Sequence, residues 1–129
     1  MENEVIVEQE SYFFDSYAII EILKNNPNYT PYTNVAVTFT IINLAEIYYS
    51  TLNDYGEEKA NRIYEEYKNA VVEIDEETLK EAMKFRKEYK KEKFSYADCI
   101  GYICAKRNNM KFLTGDRGFE KIENVEFVK

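Results

Sequence analysis

Four carboxylates have the residue types and surroundings to do chemistry in this chain: Asp15, Glu46, Asp98 and Asp116. Histidine is absent, which excludes His-based triads, His general bases and zinc-hydrolase ligand sets. Hydrolytic chemistry must then come from carboxylates, from a metal held by carboxylates, or from Lys, Tyr, Cys or Ser. An all-oxygen donor set suits Mg2+ or Mn2+.

Three of the four also have an ordinary structural use. Asp15 ends the aromatic run Ser11-Tyr12-Phe13-Phe14 and precedes a helical stretch, which is the place of an N-cap. Asp116 follows Leu113-Thr114-Gly115 and suits an Asx turn before Arg117-Gly118. Ser95 and Asp98 have capping-box spacing, and the helix dipole favours an acid there. Glu46 has no such use. It falls in the apolar stretch IINLAEIYY, on a helical face with Ile42, Ala45 and Tyr49. A carboxylate buried unpaired on that stripe is costly, so a cation or strong donors are expected beside it.

The elements that must position these residues alternate short apolar runs with helical stretches. That alternation predicts a parallel α/β sheet. Strands are expected at 11–14, 34–38, 70–74, 111–114 and 125–128. Helices are expected at 16–24, 41–55, 57–69, 75–93 and 95–108. Residues 25–33 hold both prolines and read as a loop, and Gly56 reads as a helix stop. Ligands of parallel sheets bind beyond the carboxyl ends of the strands, where Asp15 and Asp116 both stand. With the strand order 3-2-1-4-5, the first and fourth strands are neighbours and these two acids flank one crevice.

The 129 residues are expected to form one domain, with a core that needs no disulfide. An acidic N-terminal extension, 1–10, precedes the domain at 11–129. No apolar run reaches the roughly 18 residues of a membrane span, and no secretion signal is visible. Cys99 and Cys104 lie five apart in one helix, about 140° apart around its axis, so they cannot pair. They read as small buried hydrophobes in a reducing, cytoplasmic setting. The net charge is −7. Setting aside the four glutamates of the first ten residues and the four acids above leaves 16 acidic against 17 basic residues. The body of the protein is therefore near neutral, and the acidic total does not exclude a nucleic-acid partner.

These pieces resemble the PIN-domain ribonucleases, in particular the VapC-type toxins. The matching segments are FFDSYAII around Asp15, TFTIINLAEIYYS around Glu46, and FSYADCIGYICAKRNNMKFLTGDRGF around Asp98 and Asp116. The resemblance implies a three-layer α/β/α sandwich with a central parallel five-stranded sheet in the order 3-2-1-4-5. It implies Mg2+- or Mn2+-dependent cleavage of RNA by a cluster of Asp15, Glu46, Asp98 and Asp116, with Ser16 and Thr114 as supporting hydroxyls. It also implies a small antitoxin partner and a homodimer. Lys84, Arg86, Lys87, Lys90, Lys91 and Lys93 form a basic cluster before Asp98 that could track phosphates, although lysine-rich helix faces are usually just solvated.

The competing readings are a non-catalytic PIN-like protein and a receiver-like interaction module. Asp75, after the third expected strand, could imitate a phosphoacceptor, but it reads better as an N-cap before Glu76-Glu77. No lysine beyond the fourth or fifth strand stands where a receiver would use it.

Overall fold

The computed structural model describes residues 10–129. The acidic extension, apart from Glu10, therefore lies outside the described residues. Three strands, β1 (Tyr12–Phe14), β2 (Lys111–Thr114) and β3 (Val125–Phe127), form a parallel sheet in the order β1-β2-β3. Phe13 is in register with Phe112, and Phe112 with Val125. Five helices accompany them: α1 (Ser16–Leu23), α2 (Ile41–Tyr55), α3 (Glu57–Tyr67), α4 (Glu76–Glu88) and α5 (Tyr96–Arg107). The first and the last two expected strands are thus present, as neighbours in the expected order.

The expected strands at 34–38 and 70–74 do not form, so a five-stranded sheet is not what the described residues show. A single parallel bridge joins Phe39 to Val71, with Phe39 N donating to Ala70 O and Val72 N to Phe39 O. One bond, Phe14 N to Thr38 O, ties the first of these segments to β1. The physical reason is that both ladders are interrupted. Thr40 is committed to the start of α2, and Ala70 to the 3-10 turn Lys68–Ala70 that ends α3.

A second difference concerns the helix expected at 75–93. It begins as expected, with Asp75 Oδ1 accepting from Thr78 N at 2.7 Å, but α4 stops at Glu88. A short turn, Lys90–Glu92, follows, and Lys93 takes a left-handed φ of 57°. The reversal delivers Phe94 into the core, stacked on Phe119 with ring centroids 4.0 Å apart and on Phe85 at 5.8 Å. Aromatic burial on this scale outweighs extending a lysine-rich helix into solvent.

α5 is the helix buried most completely, with every residue from Cys99 to Ala105 in the interior. It packs on β1 and β2 because Gly101 lets it come close. A Cβ there would stand 2.8 Å from Phe13 Cε1 and 3.1 Å from Phe112 Cε1. Cys99 and Cys104 are free and buried within it. α1 packs on β1 and β2, α2 on α1, and α3 on α2. Among the described residues no helix is long and apolar enough to cross a membrane.

Candidate active site

Asp15 leaves the carboxyl end of β1 and is the N-cap of α1. It is buried, at 4 % exposure. Its Oδ1 accepts from Ser16 N at 2.8 Å, and its Oδ2 accepts from the Thr114 hydroxyl at 2.7 Å. Thr114 closes β2, so this bond joins the ends of the two central strands. Thr114 Oγ1 also accepts from Asp116 N at 3.1 Å, which ties down the loop carrying the second strand-end acid. Asp116 itself accepts from Gly118 N at 2.9 Å, the expected Asx turn.

Asp98 is in the first turn of α5. The capping box with Ser95 is formed in both directions: Ser95 N donates to Asp98 Oδ2 at 2.9 Å, and Asp98 N donates to Ser95 Oγ at 3.0 Å. Every structural use expected for these three acids is therefore real. It does not exhaust them, because Asp98 Oδ1 and Asp116 Oδ2 accept no hydrogen bond from the described residues.

Glu46 reaches the same place by a route opposite to the expected one. The face carrying Ile42, Ala45, Glu46 and Tyr49 is not a buried stripe: Ala45 and Glu46 are exposed, and Tyr49 is 69 % exposed. α2 instead buries Asn43, Leu44, Ile47 and Thr51. The alternation of apolar residues around IINLAEIYY allowed either face to be inward. What holds Glu46 is the Ser16 hydroxyl, which donates to its Oε1 at 2.6 Å, a charge-assisted bond. Ser16 Oγ in turn accepts from Asn43 Nδ2 at 3.0 Å, and Asn43 Oδ1 accepts from Thr40 N and Thr40 Oγ1.

Asp15, Glu46, Asp98 and Asp116 all line one open cleft of about 550 Å3, together with Ser16, Tyr17, Ile20, Gly115, Arg117 and Lys129. They share an electrostatic environment. Burial raises the Asp15 carboxyl to about 7, with further increases from Asp98 and Glu46 and opposition from the Thr114 and Ser16 bonds. Glu46 is exposed as a residue, but its carboxyl end turns into the cleft, and that partial desolvation raises it, offset by Ser16 and reinforced by Asp98. Asp98 is raised first by burial, lowered by Ser95, and raised again by Asp116.

Among the described residues, no three of these side chains stand close enough to form a ready cation cage. In donor chemistry the set fits a hard divalent cation: four carboxylates, oxygen only, crowded enough to raise three of them.

The raised acids make stability depend on pH. With no divalent cation, folded Asp15 keeps its proton up to about pH 7, whereas the unfolded carboxyl loses it near 4. The folded state then binds more protons, so stability is full below about pH 4 and is lost as pH rises through 7. In EDTA, the urea midpoint should fall between pH 5 and pH 8, and Asp15→Asn should remove most of that fall. Mg2+ at pH 8 should restore the midpoint by mass action. A midpoint that rises over this window would contradict the shift.

Residues not foreseen from the sequence also shape the cleft. Asn43 is fully buried and relays Thr40 to Ser16; its signal was the Thr40-to-Asn43 capping spacing, one helical turn before Glu46. Tyr17 and Gly115 form the wall between the two strand ends. Lys129, assigned no role from the sequence, also lines the cleft.

Fold and site define a parallel α/β domain with an acidic cleft beyond its strand ends. The profile of the PIN domain matches residues 12–125, and the chain belongs to the PIN domain family. Among solved structures it is similar to a chain of a toxin-antitoxin complex from Klebsiella pneumoniae: TM-score 0.72, 16 % identity, covering 90 % of this chain and 96 % of that one. It is also similar to a chain of VapBC2 from Rickettsia felis bound to a DNA fragment from their promoter: TM-score 0.69, 16 % identity, 92 % and 98 % coverage. A comparison with curated proteins found no match.

Proposed function

We propose that this chain is a Mg2+- or Mn2+-dependent ribonuclease of the VapC type, the toxin of a toxin–antitoxin pair. The observation that carries the reading is the convergence of four carboxylates from four different elements on one cleft. PIN domains are generally nucleases, and the two solved structures named above come from toxin–antitoxin assemblies, which supports a small antitoxin as partner. A homodimer and a cytoplasmic setting complete the proposal.

In this reading Asp15 and Asp98 would hold the ion directly, and Glu46 and Asp116 would hold it directly or through water, or orient the nucleophile. A divalent cation supplies Lewis acidity there, lowering the pKa of water and offsetting charge on the phosphoryl oxygens. The Thr114 hydroxyl holds Asp15 Oδ2 in place. Ser16 fixes one oxygen of Glu46, which leaves the other to orient a water for in-line attack on phosphorus. The bond from that water to phosphorus forms, with one of its protons released to solvent, as the bond to the 3′-oxygen breaks. The products are a 5′-phosphate and a 3′-hydroxyl, the latter taking its proton from solvent. Arg117 and the basic cluster on α4 and the following turn supply cations for the RNA backbone. Arg86 of that cluster is partly engaged already, donating to Phe94 O and lying over the Tyr96 ring.

The direct test incubates the purified chain with single-stranded RNA in Mg2+, in Mn2+ and in EDTA. Cleavage in the first two, with 5′-phosphate ends, and none in EDTA is expected. Equal cleavage in EDTA, or none in any condition, would overturn the proposal.

A further inference from the structure

Among the described residues, Lys129 is the lysine that lines the acidic cleft. Its ammonium donates to Gly115 O at 3.0 Å and lies over the Tyr17 ring, 5.1 Å from the centroid. Gly115 precedes Asp116, and Tyr17 follows Ser16, so the charge sits between the two strand-end loops that carry Asp15 and Asp116. Lys68, Lys80 and Lys106 each pair with a glutamate, as does Arg117 at the longer distance of 3.9 Å. Lys129 has no carboxylate within 4.0 Å among the described residues, although it lines a cleft with four of them. An ammonium has three donors, and one of them is used.

The backbone that launches this side chain is fastened. Val128 N donates to Thr114 O at 2.9 Å, and the buried Tyr29 donates its hydroxyl to Val128 O. Asn26 Nδ2 donates to Lys129 O at 3.3 Å. These bonds fix the backbone from which the Lys129 side chain extends. A carbonyl and an aromatic face orient the charge without neutralising it, which is how a binding cation is kept ready.

We infer that Lys129 grips a backbone phosphate of the RNA entering the acidic cleft, a positioning role that rests on the nuclease reading above. A cleft lined by four carboxylates repels a polyanion. A fixed cation at its wall offsets that repulsion and sets where the strand crosses. Lys129 is therefore a positioning residue for substrate and takes no part in bond breaking.

The test uses the full chain, a fluorescent single-stranded oligoribonucleotide, and Mg2+ throughout. Cleavage kinetics are measured for the wild type, Lys129→Met and Lys129→Arg. Binding across a KCl series is measured with the same changes in an Asp98→Asn background, which keeps the probe intact. Lys129→Met should raise KM about five- to tenfold with kcat little changed. It should also flatten the plot of log affinity against log salt by about 0.7, one single-strand phosphate contact. Lys129→Arg should restore both. Loss of thermal stability in Lys129→Met with KM and salt slope unchanged would overturn the inference and leave a tether for the Gly115 loop. A wild-type chain that cleaves, with Lys129→Met matching it, overturns the Lys129 role alone. A wild-type chain that neither binds nor cleaves the probe overturns the nuclease reading and this role with it.

Discussion

Asp15→Asn should lower metal-dependent RNA cleavage by about 10²–10³-fold, the scale on which single electrostatic groups act in active sites, while the protein stays folded. The side-chain amide keeps an oxygen to accept from Ser16 N, so the cap on α1 survives. The like-charge crowding with Asp98 and Glu46 is relieved, so stability above pH 7 should hold or rise. Asp98→Asn should behave similarly, because Asn retains the acceptor that Ser95 N uses. The measurement is single-turnover cleavage with Mg2+, beside circular dichroism of each variant. Wild-type rates in both variants would remove these two acids from the chemistry. Asp15→Ala is the poorer probe, since it deletes the cap and leaves the Thr114 hydroxyl without its acceptor.

Gly115→Ala should be the most damaging of the glycine-to-alanine changes among the described residues. A Cβ at this buried position would overlap Tyr17 Cε1 and come within 2.5 Å of Val128 O. Neither neighbour can retreat easily. Tyr17 belongs to α1, and Val128 is anchored by Thr114 and Tyr29. Overpacking ordinarily costs 1–3 kcal/mol. Here the strand-end loops must also separate, so about 3 kcal/mol or more is expected, a fall in Tm of roughly 10–20 °C. Because the same loops carry Asp15 and Asp116, cleavage should fall even in the folded fraction. An unchanged Tm in a thermal melt would show that the two loops are looser than their contacts indicate.

The sequence was most legible where chemistry is local. Asp15, Ser95 and Asp98, Asp75 and Asp116 all make the caps and turns their neighbours suggest, because a cap depends on three or four consecutive residues. Glu46 does line the cleft, but not for the reason its sequence suggested. Its helix has apolar residues on both sides of the buried stripe, so periodicity could not choose the inward face, and the Ser16 contact is 30 residues distant in sequence. β1 was visible as an aromatic run and β2 as the short apolar run KFLT. The segments at 34–38 and 70–74 looked equally apolar, but they meet only in the Phe39–Val71 bridge, between the start of α2 at Thr40 and the turn that closes at Ala70. Lys129 could not be foreseen, since a residue after the last strand carries no periodicity and its partners, Tyr17 and Gly115, come from two other elements.

The shortness of the sheet has a consequence for self-association. β3 is an edge of three residues. Its neighbours Asn124 and Val128 spend their backbone groups on β2, so the outward margin offers only a few unpaired N–H and C=O groups. On the other margin, Thr38 already meets β1. Such an outline gives a foreign strand almost nothing to extend, the protection that short edges confer against aggregation and strand exchange. Among the described residues, the exposed apolar side chains of Ile41 and Tyr49 lie on a helix, α2, and not on the sheet margin.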